Sequence, residues 1–280
     1  MFTLNCKGRI FVIDEPVVMG IMNMTPDSFY SGSRTNNIDD ILFRAEKMIS
    51  DGTAILDIGG QSTRPRSERI SVEEELKRVM PAIEAINKRF PLQILSIDTF
   101  YAKVAQEAIN AGAHIVNDVS AGTIDEEMLN VVAQSKVPYV LMHMPGDPQT
   151  MQEHANYKNV TLEVFDFLSF KISSLIESGI NDIIIDVGFG FGKSSFHNFQ
   201  LLQQLSSFRQ LQKPLLVGLS RKATIYKTLD ITPEEALNGT TVLNTIALLN
   251  GASILRVHDV KEAAQAIKLI LAYKTQNPGQ

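Results

Sequence analysis

Eight short apolar runs constrain this chain more than any other feature of its sequence. Each ends in polar side chains, and helical spacing separates one from the next. Residues 17–22 close on Asn23, 54–56 on Asp57, 94–97 on Asp98 and 114–116 on Asn117 and Asp118. Residues 138–141 close on Met142-His143-Met144, 183–185 on Asp186, 215–219 on Ser220-Arg221-Lys222 and 253–255 on Arg256-Val257-His258. Near-continuous apolar strands belong to parallel sheets covered on their faces, and amphipathic helices are the usual cover. Val72, Leu76, Val79, Ile83 and Ile86 share one helical face, opened by a Ser71-x-x-Glu74 capping box. Pro81 is expected to kink that helix or end its first segment. Val164, Leu168, Ile172, Leu175 and Ile176 form a second face, and Val260, Ala264, Ile267 and Leu271 a third. Eight such units predict an α/β fold, a closed (β/α)8 TIM barrel forming a single domain over residues 1–280. Residues 1–16 read as an N-terminal hairpin turning at Lys7-Gly8, a plug or cover, and residues 275–280 as a frayed tail.

Composition excludes several classes of function. A net charge of −5 with 20% charged residues argues against nucleic-acid and membrane-surface binding. Cys6 is the only cysteine, which rules out an intrachain disulfide and a cysteine-based zinc site. No basic region followed by an apolar segment opens the chain, and Asn244, Asn250 and Gly251 interrupt the long apolar stretch 242–257. A soluble, cytoplasmic protein is expected.

In such barrels the active site lies at the C-terminal ends of the strands. Asn23, Asp57, Asp98, Asn117, His143, Asp186, Lys222, Arg256 and His258 are therefore expected to face one mouth. Helix capping is the plainer account of Asp and Asn at strand ends, and it suits Asp57 and Asp118. It does not suit Arg256 and His258. Asp98, Asn117 and Asp186 offer acceptors for a flat edge with adjacent N–H donors. Arg64, Arg221, Lys222, Arg256 and His258 concentrate positive charge suited to a phosphate. The glycines at 188, 190 and 192 before Lys193 fit neither a Walker loop nor a dinucleotide fingerprint, because both spacings fail. A ligand that is half heterocycle and half diphosphate would satisfy both sets of charges.

Six stretches resemble the signatures of the dihydropteroate synthase family: Asn23-Met-Thr-Pro-Asp-Ser-Phe29, Gly59-Gly-Gln-Ser-Thr-Arg-Pro65, Met142-His-Met144, Asp186-Val-Gly-Phe-Gly-Phe-Gly-Lys193, Ser220-Arg-Lys222 and Arg256-Val-His-Asp259. The resemblance implies a barrel that joins 4-aminobenzoate to 6-hydroxymethyl-7,8-dihydropterin diphosphate, with Mg2+, in a homodimer. It implies that Asn23, Thr63, Asp98, Asn117, Asp186, Lys222, Arg256 and His258 hold the pterin diphosphate, with Asn23 contacting the metal. Phe29, Thr63, Pro65, Phe191 and Ser220 would form the aminobenzoate pocket, and Arg64, Lys222, Arg256 and His258 would assist the chemistry. Two other readings share such a pocket: a methyl transferase passing a folate methyl group to a corrinoid, and a pterin-binding barrel without catalysis.

This chain departs from the family pattern at four positions. Ser31 stands where the first loop usually has an acid, Gln61 where glutamate is usual, Arg66 where glycine is usual and Val187 where proline is usual. With Ser31 neutral and Arg66 added, the second loop is left unusually positive, so Ser31→Asp is expected to raise turnover. An exposed ion pair contributes ~0.2–1 kcal/mol, which limits a plain surface bridge to about fivefold. Steady-state rates at saturating substrate decide it, and an unchanged or lower rate would mean that Ser31 is no deficit.

Overall fold

The computed structural model describes residues 1–25, 34–61, 68–153 and 155–275. Phe29, Ser31, Thr63, Arg64, Pro65 and Arg66 lie outside the described residues, so the expectations placed on them stand on sequence alone.

The first two strands, β1 (Phe2–Cys6) and β2 (Arg9–Ile13), pair antiparallel as the expected hairpin. Lys7 and Gly8 both take positive φ, 56° and 85°, which matches the twist of a two-residue hairpin turn. Eight parallel strands follow: β3 (Val17–Asn23), β4 (Ile55–Gly59), β5 (Ile94–Asp98), β6 (Ile115–Asp118), β7 (Tyr139–Met142), β8 (Ile183–Asp186), β9 (Leu215–Val217) and β10 (Ile254–Val257). They close in chain order, with β10 pairing back on β3. Helices α1 (Arg34–Ser50), α2 (Val72–Arg89), α3 (Ala102–Ala111), α4 (Met128–Ser135), α5 (Val160–Glu177), α6 (Ser195–Gln203), α7 (Ala223–Leu229), α8 (Leu237–Leu249) and α9 (Val260–Thr275) surround them.

The period of two along each strand sorts the core into two parts. Met19, Ile55, Ile94, Ile115, Val140, Ile184, Leu216 and Ile254, one from each barrel strand, form an inner cluster with Leu4, Cys6 and Ile13 of the hairpin. The hairpin is therefore a plug in the N-terminal end of the barrel. Burial there pushes the Cys6 thiol up to about 12, so it packs as a small hydrophobe. Alternate residues such as Leu56, Ile58, Leu95, Ile97, Leu141, Ile185, Val217 and Leu255 face outward and pack with the helices.

The helical faces agree with the sequence except in detail. Val79, Ile83 and Ile86 are fully buried, whereas Ile176 is 44% exposed and falls off the α5 stripe. Pro81 does not end α2, which runs unbroken to Arg89. The proline removes one donor, and the nine helical residues before it and eight after it hold the segment together. Only half of the capping box forms: the Ser71 hydroxyl accepts from the Glu74 amide at 3.2 Å, but the Glu74 carboxylate turns to Arg78 at 2.9 Å.

Candidate active site

Two residues above the plugged layer, the same inward positions become polar. Met19, Ile55, Ile94, Ile115, Ile184 and Ile254 lead by steps of two to Ile21 and Asn23, Asp57 and Gly59, Ser96 and Asp98, Asn117, Asp186, and Arg256 and His258. The strand register sets Asn23 beside Gly59, Gly59 beside Asp98 and Asp98 beside Asn117. Gly59 leaves room beside Asp98: a Cβ there would lie 3.3 Å from the Asp98 Cβ and 3.5 Å from its Oδ2.

Arg256 joins the site across the barrel. Its Nε donates to Asp57 Oδ2 at 2.6 Å and its Nη2 to Asp98 Oδ2 at 2.5 Å, while Asn117 Nδ2 donates to the same Asp57 oxygen at 3.0 Å. Burial alone would lower the guanidinium pKa, but Asp57 and Asp98 raise it above its usual value. Asp98 is pushed up to about 7, by burial first and by Asp57 and Asp118 beside it, against the pull of Arg256 and Lys222. Asp57 thus belongs to the site and caps no helix, contrary to the capping expectation. Its signal was its step of two between Ile55 and Gly59. Asp118 does behave locally: it points outward, taking the Ser120 and Gly122 amides and the Tyr139 hydroxyl.

Across the mouth, burial raises the Asp186 pKa, while Lys222 and the Gly188 amide hold it down. Asp186 Oδ1 accepts from that amide at 2.8 Å. Lys222 is lowered to about 8, by burial first, with Asp186 opposing. Its ammonium donates to the Phe189 carbonyl at 2.5 Å and sits 4.7 Å from the centre of the Phe191 ring. Phe191 also packs on a buried cluster of Phe100, Val119, Met142, Met144 and Met151, which gives this side an apolar wall.

The glycine loop positions this side. Gly188, Gly190 and Gly192 all take positive φ, and a Cβ on Gly188 would come within 1.9 Å of the His143 carbonyl oxygen. Lys193 turns inward under the loop, donating to the carbonyls of Gly188 and Phe191 at 3.0 Å and of His143 at 3.2 Å. Its nitrogen also lies 3.0 Å from His143 Nδ1, so the three N–H groups of the ammonium face four neighbouring acceptor positions. Burial lowers Lys193 to about 7, and burial with Lys193 lowers His143 to about 3. Lys193 is therefore the pin of the loop. His143 lies outside the mouth, contrary to expectation: it steps by two from the outward Tyr139 and Leu141 and packs on Phe167 of α5. Gly188→Ala should destabilise the protein by more than about 1 kcal/mol, since its positive φ and the carbonyl contact both oppose a side chain. Chemical denaturation checks this, and an unchanged midpoint would contradict the loop as described.

At the rim, Ser220 Oγ accepts the His258 backbone N–H at 3.2 Å and lies 3.1 Å from its Nδ1. Ser220 thus ties the His258 ring to its own backbone. Desolvation and the nearby Arg256, Arg221 and Lys222 charges lower the His258 pKa against Asp259, though the side chain still reaches solvent. Arg221 is not a spare cation: its Nε and Nη2 close on Asp259 at 2.9 and 2.8 Å, and its Nη1 reaches the Pro233 and Glu234 carbonyls.

Two of the departures have structural reasons. Gln61 donates to the Glu68 carbonyl at 3.0 Å and accepts the Ile70 amide at 2.9 Å, and a carboxylate could not make the first bond. Val187 is fully buried in the outer core. Among the described residues no group of three His, Cys, Asp or Glu side chains could hold a metal, and no helix is long and apolar enough to cross a membrane.

The pterin binding enzyme family matches residues 19–258. Dihydropteroate synthase of Escherichia coli strain K12 is 42% identical over 271 residues, covering 96% of this chain and 95% of that protein. Xanthomonas albilineans dihydropteroate synthase with 4-aminobenzoic acid superposes with a TM-score of 0.90 at 40% identity, covering 97% of this chain and 98% of that one. The dihydropteroate synthase from the same organism in complex with 7,8-dihydropteroate gives 0.87 at 38% identity, covering 98% and 99%. A match that runs from the first barrel strand to the last, with relatives this similar along almost their whole length, places the chain in the dihydropteroate synthase family.

Proposed function

We propose that this chain condenses 6-hydroxymethyl-7,8-dihydropterin diphosphate with 4-aminobenzoate, giving 7,8-dihydropteroate and diphosphate. The observation that carries this reading is the inward face itself: buried Asp98, Asn117 and Asp186 stand among the cations Arg256 and Lys222, whose charges act on the two carboxylates. A flat heterocycle rich in N–H donors suits those acceptors, and a diphosphate suits those cations.

In this reading Asp186 takes the ring N3–H and 2-amino group, and Lys222 reaches the ring oxygen and a nitrogen. Asp98 and Asn117 take the far edge. Arg256, His258 and Asn23 grip the diphosphate, and the departing charge collects where these groups already stand. The aminobenzoate lies on Phe191 and Ser220, with Phe29, Thr63 and Pro65 closing over it and Arg64 beside the diphosphate. The neutral amide of Asn23, half-buried at the end of β3, fits Mg2+, which keeps waters and leans on substrate phosphates. Bound there, Mg2+ would neutralise part of the leaving diphosphate. Diphosphate leaves first, and the arylamine then attacks the pterin methylene. No protein nucleophile is required, so the chain's task is to hold, orient and exclude water.

The protein acts in the cytoplasm as one domain and as a homodimer. The α8 and α9 surface supports the dimer, because Val242, Leu249, Leu269 and Tyr273 are between 50% and 71% exposed there. The test is genetic. This chain should restore growth, without folate end products, to a bacterium whose own dihydropteroate synthase gene is deleted. Failure to grow despite soluble expression sinks the assignment.

A further inference from the structure

Arg256 and Arg221 use the same fork, Nε with Nη2, in two different ways. In Arg221 both nitrogens close on one carboxylate, Asp259, whereas in Arg256 they are split, Nε to Asp57 and Nη2 to Asp98. The split leaves Asp57 incomplete. Its Oδ2 accepts from both Arg256 and Asn117, while its Oδ1 is buried and has no partner. Ser96, its register neighbour on β5, does not supply one: the Ser96 hydroxyl oxygen is itself buried without a partner. A buried carboxylate oxygen without a donor is unfavourable, and a bidentate fork is the strongest partner an arginine can offer it.

We propose that Asp57 is the positioning residue on which the Arg256 fork closes when a pterin takes Asp98. The proposal rests on the pterin reading of Asp98 given above. Arg256 Nη2 lies on the Asp98 acceptor that the heterocycle needs, so binding is an exchange. The ring's N–H replaces Nη2 on Asp98, and Nη2 moves to the unpartnered Asp57 Oδ1. Both oxygens of Asp57 are then paired, and Nε never leaves Asp57. Asp57 so makes the displacement of Arg256 inexpensive and keeps the guanidinium beside the diphosphate through the exchange.

The test is a calorimetric double-mutant cycle with 6-hydroxymethyl-7,8-dihydropterin, which carries no diphosphate, as the probe. Asp57→Asn alone should weaken its binding about tenfold or more, the size expected when a charge-assisted hydrogen bond loses its acceptor. In an Arg256→Gln background there is no fork to receive, and the further loss on adding Asp57→Asn should stay below about twofold. An Asp57→Asn variant that binds like wild type overturns the proposal. An equal loss in both backgrounds also overturns it, because Asp57 would then act through Asn117 or the fold. If Asp57→Asn does not fold, the crystal structure of the wild-type chain with the same pterin decides. Nη2 within hydrogen-bond distance of Asp57 Oδ1 supports the exchange, and Nη2 still on Asp98 contradicts it. A wild-type chain that binds no pterin at all removes the site reading, and this proposal with it. A pterin that binds while the cycle shows no coupling removes only the proposal.

Discussion

Asp186→Asn is expected to weaken pterin diphosphate binding on the order of a hundredfold or more while the barrel stays folded. Asp186 Oδ1 is committed to the Gly188 amide at 2.8 Å. In the asparagine variant that N–H holds the amide oxygen, which turns the NH2 group toward the pocket. The ring's N–H would then meet a donor where it met a carboxylate. Each unmatched buried group costs about 1–3 kcal/mol, and more where a charge is lost. The loop keeps its Lys193 pin and its Gly188 contact, so thermal unfolding should change little. Calorimetry on the variant checks the claim, and wild-type affinity would remove Asp186 from the pterin site.

Arg256→Lys should lower kcat on the order of a hundredfold, about 2.7 kcal/mol of transition-state stabilisation. An ammonium is a point charge without a fork, so it cannot reach Asp57 and Asp98 together or hold a diphosphate in two directions. Stability should suffer less than activity. A buried carboxylate stripped of its partner ordinarily costs about 3–5 kcal/mol, but burial already raises the Asp98 pKa, so taking up a proton relieves the charge. Steady-state kinetics beside a thermal melt separates the two effects. A variant with kcat within threefold of wild type would show that the guanidinium is not what steadies the leaving group.

Much of this molecule is written in two periods. The 3.6 period located helices such as α2 and α5, and the apolar runs located all eight barrel strands, because a parallel sheet buried on both faces tolerates little else. The period of two was the underused signal. Counting from Ile55 puts Asp57 inside, which decides for the mouth against the cap, and counting from Tyr139 puts His143 outside, which reverses its mouth expectation. Capping preference misled at Asp57 because a short acidic residue at a strand end suits a helix start and a charge cluster equally well. Three features needed coordinates. Lys193 has no assigned role in the sequence, and only the folded loop aims its ammonium at three carbonyls. Arg221 looks available until Asp259, 38 residues away, closes on it. The split fork of Arg256 joins residues 199 and 158 positions apart, a separation that no local pattern encodes.

The central claim is that the inward face at the C-terminal mouth binds a pterin diphosphate and releases its diphosphate to an arylamine. The most direct measurement is diphosphate release by the purified chain, supplied with 6-hydroxymethyl-7,8-dihydropterin diphosphate, 4-aminobenzoate and Mg2+, counted against dihydropteroate formed. The account predicts catalytic release, one diphosphate for each dihydropteroate, reduced on the order of a hundredfold in the Arg256→Lys variant. Release no faster than in a protein-free control, from a folded chain, would contradict it.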